Sequence, residues 1–205
     1  MLGLIGSHRV GKTTLAESYA EHTGSELVRV SVSKMVAETG YDSSLTYDFD
    51  TRMEIQSHVL DSMAKLFAFH AGSPAVADRT PLDALLYTVS TIGPYTCNDQ
   101  QSKWLKEYMD RCFDLTNRHF GVVLAVQPGI PLVECETSHR ANPAYIEHLN
   151  ALALGFISDE RLKVPHYFMP RHIVKLETRV AVCQRAVQRA LAAAHAEREG
   201  VSLLH

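Results

Sequence analysis

Residues Met1-Leu2-Gly3-Leu4-Ile5-Gly6-Ser7-His8-Arg9-Val10-Gly11-Lys12-Thr13-Thr14 decide how this chain begins to fold. A short apolar run stops at Gly6, and the residues from Gly6 to Thr13 fit the pattern GxxxxGK[ST] at every fixed position. Leu15 and Tyr19 then recur at helical spacing. Strand, loop and helix in that order are the context such a loop needs. Gly6 and Gly11 admit backbone conformations that a Cβ disfavours, so successive N–H groups can converge on phosphate oxygens, and the helix N-terminus adds the positive end of its dipole. In this reading Gly6, Ser7, His8, Arg9, Val10, Gly11, Lys12, Thr13 and Thr14 hold the phosphates of a nucleotide cofactor. Lys12 reaches the β- and γ-phosphates, and the Thr13 hydroxyl completes a Mg²⁺ site, because Mg²⁺ takes hard oxygen ligands.

Along the rest of the chain, strands are expected over 27–32, 75–77, 120–126 and 166–169, and helices over 12–21, 51–71, 82–90, 101–115 and 178–195, with a further helix starting at Asn142-Pro143. The helix over 51–71 shows its core stripe in Leu60, Met63 and Phe67. Strands alternating with helices predict a parallel sheet covered on both faces, with ligands bound beyond the carboxyl ends of the strands. There the glycine loop, Asp78 and a lid-like loop at 128–140 would meet.

The chain has 205 residues, 46% of them hydrophobic, with 20 Lys+Arg against 23 Asp+Glu. That is the profile of one globular α/β domain spanning 1–205, large enough to form a core without disulfide or metal staples. Cys97, Cys112, Cys135 and Cys183 form no CxxC pair and are expected to be reduced thiols. No basic leader and no apolar run of roughly 18 residues is present, which predicts a cytoplasmic location with no membrane span.

A phosphate-holding loop serves GTPases, remodelling ATPases and small kinases alike, so the remainder must discriminate. No NKxD-like guanine reader and no DxxG follow the loop, and the length leaves little room for the lid domain of a remodelling ATPase. A small kinase needs a carboxylate at a strand end near the γ-phosphate and an arginine loop that closes over the nucleotide. Asp78, at the end of the 75–77 strand, is placed to accept the acceptor's proton or to hold the metal, and Arg79 to neutralise phosphate charge. Arg140, just before the Asn142-Pro143 cap and accompanied by Glu134, Glu136 and His139, is the lid candidate. Arg52 and Gln56 begin the stripe that becomes apolar at Leu60, so they are candidate walls of a substrate site. Asp83 is a weaker substrate candidate, since an acid three residues after a Thr80 cap also answers exposed N–H groups. A nucleotide-dependent switch or regulatory ATPase without an acceptor stays open as an alternative.

With the glycine loop, Arg52/Gln56, Asp78-Arg79-Thr80-Pro81-Leu82-Asp83 and the arginine loop in this order, the chain resembles small P-loop nucleoside and nucleotide kinases. The likeness extends to the AAA-type kinase family that includes the ribosylnicotinamide kinase domain of the bacterial NAD regulator, and to phage nucleotide kinases. The Asp78–Asp83 stretch is similar to the acidic-Arg-Ser segment of deoxynucleoside kinases and the Asp-Arg segment of thymidylate kinases. The resemblance implies a three-layer P-loop NTPase sandwich and an ATP- and Mg²⁺-dependent kinase acting on a nucleoside- or nucleotide-type acceptor. In it Asp78 acts near the acceptor and Arg79 near phosphate, in the host cytoplasm if the chain is phage-encoded. The segment 42–50 matches no acceptor motif, and the lid holds a single arginine.

The net charge of -3 argues against a general nucleic-acid binder, yet it conceals an asymmetry. Arg161, Lys163, Arg171, Lys175, Arg179, Arg185 and Arg189 face a single acid, Glu177, within 161–189. A solvated helix face explains such a run, with Lys175/Arg179 and Arg185/Arg189 spaced to share faces. The alternative is an anionic partner. The likeness to phage nucleotide kinases implies one candidate, DNA carrying a hydroxymethylated pyrimidine such as 5-hydroxymethyluracil.

Overall fold

The computed structural model describes residues 1–91, 97–132 and 142–198. Among these, the order is β1 (Leu2–Ile5), α1 (Lys12–Thr23), β2 (Glu26–Val28), α2 (Val32–Ala37), α3 (Phe49–Phe69), β3 (Ala75–Ala77), α4 (Pro81–Ser90), α5 (Asp99–His119), β4 (Val122–Val126), α6 (Pro143–Ile157), β5 (His166–Met169) and α7 (Leu176–Arg198). The strands form one parallel sheet in the order β2-β3-β1-β4-β5.

Alternation along the strands builds two cores. On β4, Val122, Leu124 and Val126 face α1 and α7, packing with Leu15, Tyr19, Val180 and Cys183. Val123 and Ala125 turn to the other face, where Leu60, Met63 and Phe67 of α3, Leu82 and Leu85 of α4, Phe113 of α5 and Leu149 of α6 close over them. A strand buried on both faces reads as a continuous apolar run, and Val122–Val126 is buried throughout. The expected three-layer α/β sandwich is what the chain adopts.

One element differs from expectation. The run 27–32 alternates valines and predicts a strand, yet β2 ends at Val28, and Ser31 precedes helix α2. The cause lies in its neighbour. Among the described residues β2 is an edge strand paired only to β3, with Val28 opposite Ala77, the last residue of β3. Beyond that point the N–H of Val30 donates not to a strand but to the Asp78 carboxylate, at 3.0 Å. The remaining helices begin and end within a few residues of expectation, α5 running four residues further to His119.

The chain leaves β1 for β2, returns through β3, then crosses β1 to reach β4, so the direction of winding reverses beside β1. In open parallel sheets a crevice opens at such a reversal beyond the strand ends. Among the described residues no helix is long and apolar enough to cross a membrane.

Candidate functional site

The loop between β1 and α1 holds its shape through special backbone geometry. Gly11 has φ 76°, in the left-handed region, and immediately precedes α1. A Cβ there would stand 2.9 Å from a guanidinium nitrogen of Arg179. Gly6 leaves β1 so close to the neighbouring strand that a Cβ would lie 2.4 Å from the Val126 carbonyl oxygen. Arg9 also adopts positive φ, at 60°. The Ser7 side chain is fully buried and its hydroxyl has no hydrogen-bond partner among the described residues, an uncommon state for a buried polar group.

Lys12 folds back over this loop, donating to the carbonyls of Gly6 at 2.5 Å and Ser7 at 2.8 Å. Its ammonium stands 3.5 Å from Asp83. Burial lowers the Lys12 pKa and raises that of Asp83, each outweighing the attraction between them. Asp83 does two things at once: it accepts from the Thr80 N–H at 2.8 Å and hydroxyl at 3.1 Å, capping α4, and its other oxygen faces Lys12 and the Gly6 N–H. It is 1% exposed and lies outside the walls of the neighbouring cavity.

Asp78, leaving β3, joins the loop to the sheet edge. One oxygen accepts from Val30, and the other accepts from the Thr13 hydroxyl at 3.2 Å. Two hard oxygens at the mouth of a glycine loop fit the donor set that Mg²⁺ requires. Arg79 follows, its guanidinium 5.8 Å from the centre of the Tyr87 ring and close enough to depress the Lys12 and His8 pKa values. Thr14 is exposed on the first turn of α1.

Beside this cluster lies a cavity of about 520 Å³, lined in part by Val32, Tyr47, Arg52, Ile55, Gln56 and Tyr87. Residues from the segment 42–47 supply one wall, so the stretch without a recognisable motif borders the space next to Gln56. Arg52 is held by the carbonyl and hydroxyl of Thr91. Gln56 accepts from the Tyr108 hydroxyl at 3.3 Å, and Trp104 stacks on the Tyr108 ring at 4.8 Å. Tyr87 is the link between cavity and loop: it lines the cavity while its ring lies 6.4 Å from that of His8. Burial pushes its pKa up to about 12, so its hydroxyl stays protonated.

Thus Lys12, Thr13, Asp78, Arg79 and Asp83 converge, with Arg52 and Gln56 in the adjoining cavity. Arg140, with Glu134, Glu136 and His139, lies outside the described residues, as does most of the loop 128–140. No motif in the sequence marks Tyr87, although it stands one helical turn beyond Asp83 on α4.

The basic stretch 161–189 does not form one surface. Arg161 is paired with Asp110 and Asp159, and Arg171 binds both oxygens of Glu147. The expectation that Lys175 and Arg179 share an exposed helix face is corrected: Lys175 precedes α7, and Arg179 is 4% exposed beneath the glycine loop. Its position on the buried stripe with Cys183, Ala186 and Ala190 carried that signal. Lys175, Arg185 and Arg189 are exposed.

The fold is similar to that of deoxyadenosine kinase from M. mycoides, in a structure with the products dCMP and dCDP. The TM-score is 0.62 at 14% identity, and the match covers 92% of this chain and 98% of that one. A structure of the same enzyme with bound dATP gives a TM-score of 0.60 at 14% identity, covering 91% and 98%. The YorR protein of Bacillus subtilis, in complex with phosphorylated GDP, gives a TM-score of 0.52 at 10% identity, covering 95% and 97%. No protein-family model matches the chain, and no curated protein matches its sequence. At such identities the likeness is one of fold.

Proposed function

On the basis of the fold it shares with small P-loop kinases, we propose that this chain transfers the γ-phosphoryl group of ATP to a hydroxyl or phosphate of a nucleoside- or nucleotide-type acceptor. The observation that carries the reading is the contiguity of two spaces: the glycine loop with Lys12, Thr13 and Asp78, and the cavity with Arg52 and Gln56, joined at Tyr87.

Phosphoryl transfer asks a protein for positioning and charge stabilisation more than for covalent chemistry. In the proposed site the loop amides and Lys12 hold the β- and γ-phosphates. Thr13 and Asp78 would hold Mg²⁺, which neutralises phosphate charge. With one oxygen committed to Val30 and the other facing Thr13, Asp78 is better suited to a metal, directly or through water, than to accepting a proton from the acceptor. Arg79 would stabilise charge on the transferring group, and Arg140 would serve as the lid arginine. The acceptor oxygen attacks γ-phosphorus in line, ADP departs, and the acceptor proton passes to solvent. Asp83, buried and away from the cavity walls, acts through Lys12 as its counter-charge and not as a substrate contact.

The cavity favours a small acceptor. Among its described lining residues the only cation is Arg52, with the acid Asp42 opposite in charge, which suits a neutral nucleoside better than a polyanion. Incubation with γ-labelled ATP and Mg²⁺, against deoxynucleosides, deoxynucleoside monophosphates and DNA containing 5-hydroxymethyluracil, tests this. A labelled nucleotide product is expected. Label appearing only in DNA would replace the small-acceptor reading, and free phosphate alone would favour the acceptor-free switch.

A further inference from the structure

Arg179 is a buried cation that the phosphoryl-transfer reading does not use. It projects from α7 beneath the glycine loop, and one of its terminal nitrogens donates to the Val10 carbonyl at 2.7 Å. A Cβ on Gly11 would meet its other terminal nitrogen at 2.9 Å, so the guanidinium lies directly against the loop backbone. Its Nε is buried without a hydrogen-bond partner among the described residues. Lys12, the other buried cation of the loop, has Asp83 at 3.5 Å, whereas no carboxylate among the described residues lies within ion-pair distance of Arg179. Burial accordingly lowers its pKa. An unpaired buried charge burdens a fold, and a buried arginine normally has an acid beside it.

The peptide it grips explains the arrangement. A trans peptide points its C=O and N–H in opposite directions, and the described chain has no cis bonds. Drawing the Val10 carbonyl down onto Arg179 therefore turns the Gly11 N–H to the far face of the loop. On the proposed reading, that face receives the phosphates.

We propose that Arg179 is a positioning residue for the nucleotide: it aims the Gly11 N–H at the phosphates, and the bound polyphosphate is its missing counter-charge. The inference rests on the phosphate-holding reading of the loop. It couples a residue of the last helix to nucleotide affinity with no direct contact to the ligand.

Calorimetric titration of the unsubstituted chain, Arg179→Met and Arg179→Lys with sodium tripolyphosphate and with MgATP tests it, alongside thermal unfolding without ligand. Methionine fills similar volume without charge, so ligand-free R179M should melt within a few degrees of the unsubstituted chain, or above it, yet bind both probes at least ~10-fold more weakly. R179K, which keeps the charge, should bind within roughly 3-fold. Undiminished affinity in R179M would overturn the proposal. So would an R179M chain too unstable to purify, because the arginine would then be holding the fold rather than awaiting an anion. Failure of the unsubstituted chain to bind either probe would overturn the phosphate-loop reading itself, a result distinct from tight binding that R179M leaves intact.

Discussion

The Thr13 hydroxyl donates to the Asp78 carboxylate across 3.2 Å, tying the first turn of α1 to the end of β3. The same carboxylate closes the edge of the sheet through the Val30 N–H. One side chain therefore serves both the fold and the proposed metal site, and the two roles separate by substitution. Asn at position 78 keeps an oxygen for Val30 but loses the charge. D78N should retain its melting temperature within a few degrees while losing at least ~100-fold in phosphoryl transfer. D78A should in addition lose about 1–3 kcal/mol of stability through the stranded Val30 N–H, measurable by urea unfolding.

Gly11 combines a positive φ with a guanidinium at the position of its absent Cβ. Alanine there carries the left-handed penalty of about 1–2 kcal/mol and displaces Arg179. G11A should melt roughly 2–8 °C lower, by the usual relation for chains of this size, and bind MgATP more weakly. A G11A protein unchanged in both would contradict the close packing beneath the loop.

The His8 ring lies tilted against that of Tyr145, with ring centres 5.7 Å apart, and burial followed by the cations Lys12, Arg9 and Arg79 holds its pKa below the ordinary 6.5. The unfolded chain takes up a proton here as pH falls through about 6.5, and the folded chain does so only at lower pH. In that window the unfolded state binds more protons, so stability is full above it and falls as pH drops. Between pH 7.5 and 5.5 the unfolding free energy should fall more steeply for the unsubstituted chain than for H8Q. Parallel profiles would remove His8 from the pH dependence.

The first strand, the glycine loop and α1 were legible because their signal is local: an apolar run, two glycines in register and helical spacing after Lys12. Arg52 and Gln56 were legible as a pair because they start the stripe that Leu60, Met63 and Phe67 continue into the core. The end of β2 was not, since it is set by a partner strand nearly fifty residues away that stops at Ala77, and by the Asp78 carboxylate taking the next N–H. Arg179 was hidden for a similar reason. Counting charge along 161–189 treats every cation as exposed, and only tertiary packing shows one of them under the loop.

Gln56 spends its carbonyl oxygen on the Tyr108 hydroxyl, so its NH₂ donors are what it can offer the cavity. Removing them in Q56A should raise the KM for the acceptor by about 10-fold, the value of one hydrogen bond, with kcat within roughly 3-fold. Y108F, which frees the amide to rotate, should raise that KM by less. An effect confined to kcat would place Gln56 at the reacting atoms instead.

The proposed reading has the glycine loop hold the phosphoryl donor and the adjoining cavity the acceptor. It is tested most directly by measuring transfer from γ-labelled ATP to a deoxynucleoside with the unsubstituted chain, K12A and Q56A in parallel, varying each substrate in turn. The expected result is a labelled nucleotide whose formation K12A lowers by at least ~100-fold at every donor concentration, whereas Q56A alters only the dependence on acceptor. Near-normal turnover by K12A, or release of inorganic phosphate with no labelled acceptor, would contradict it.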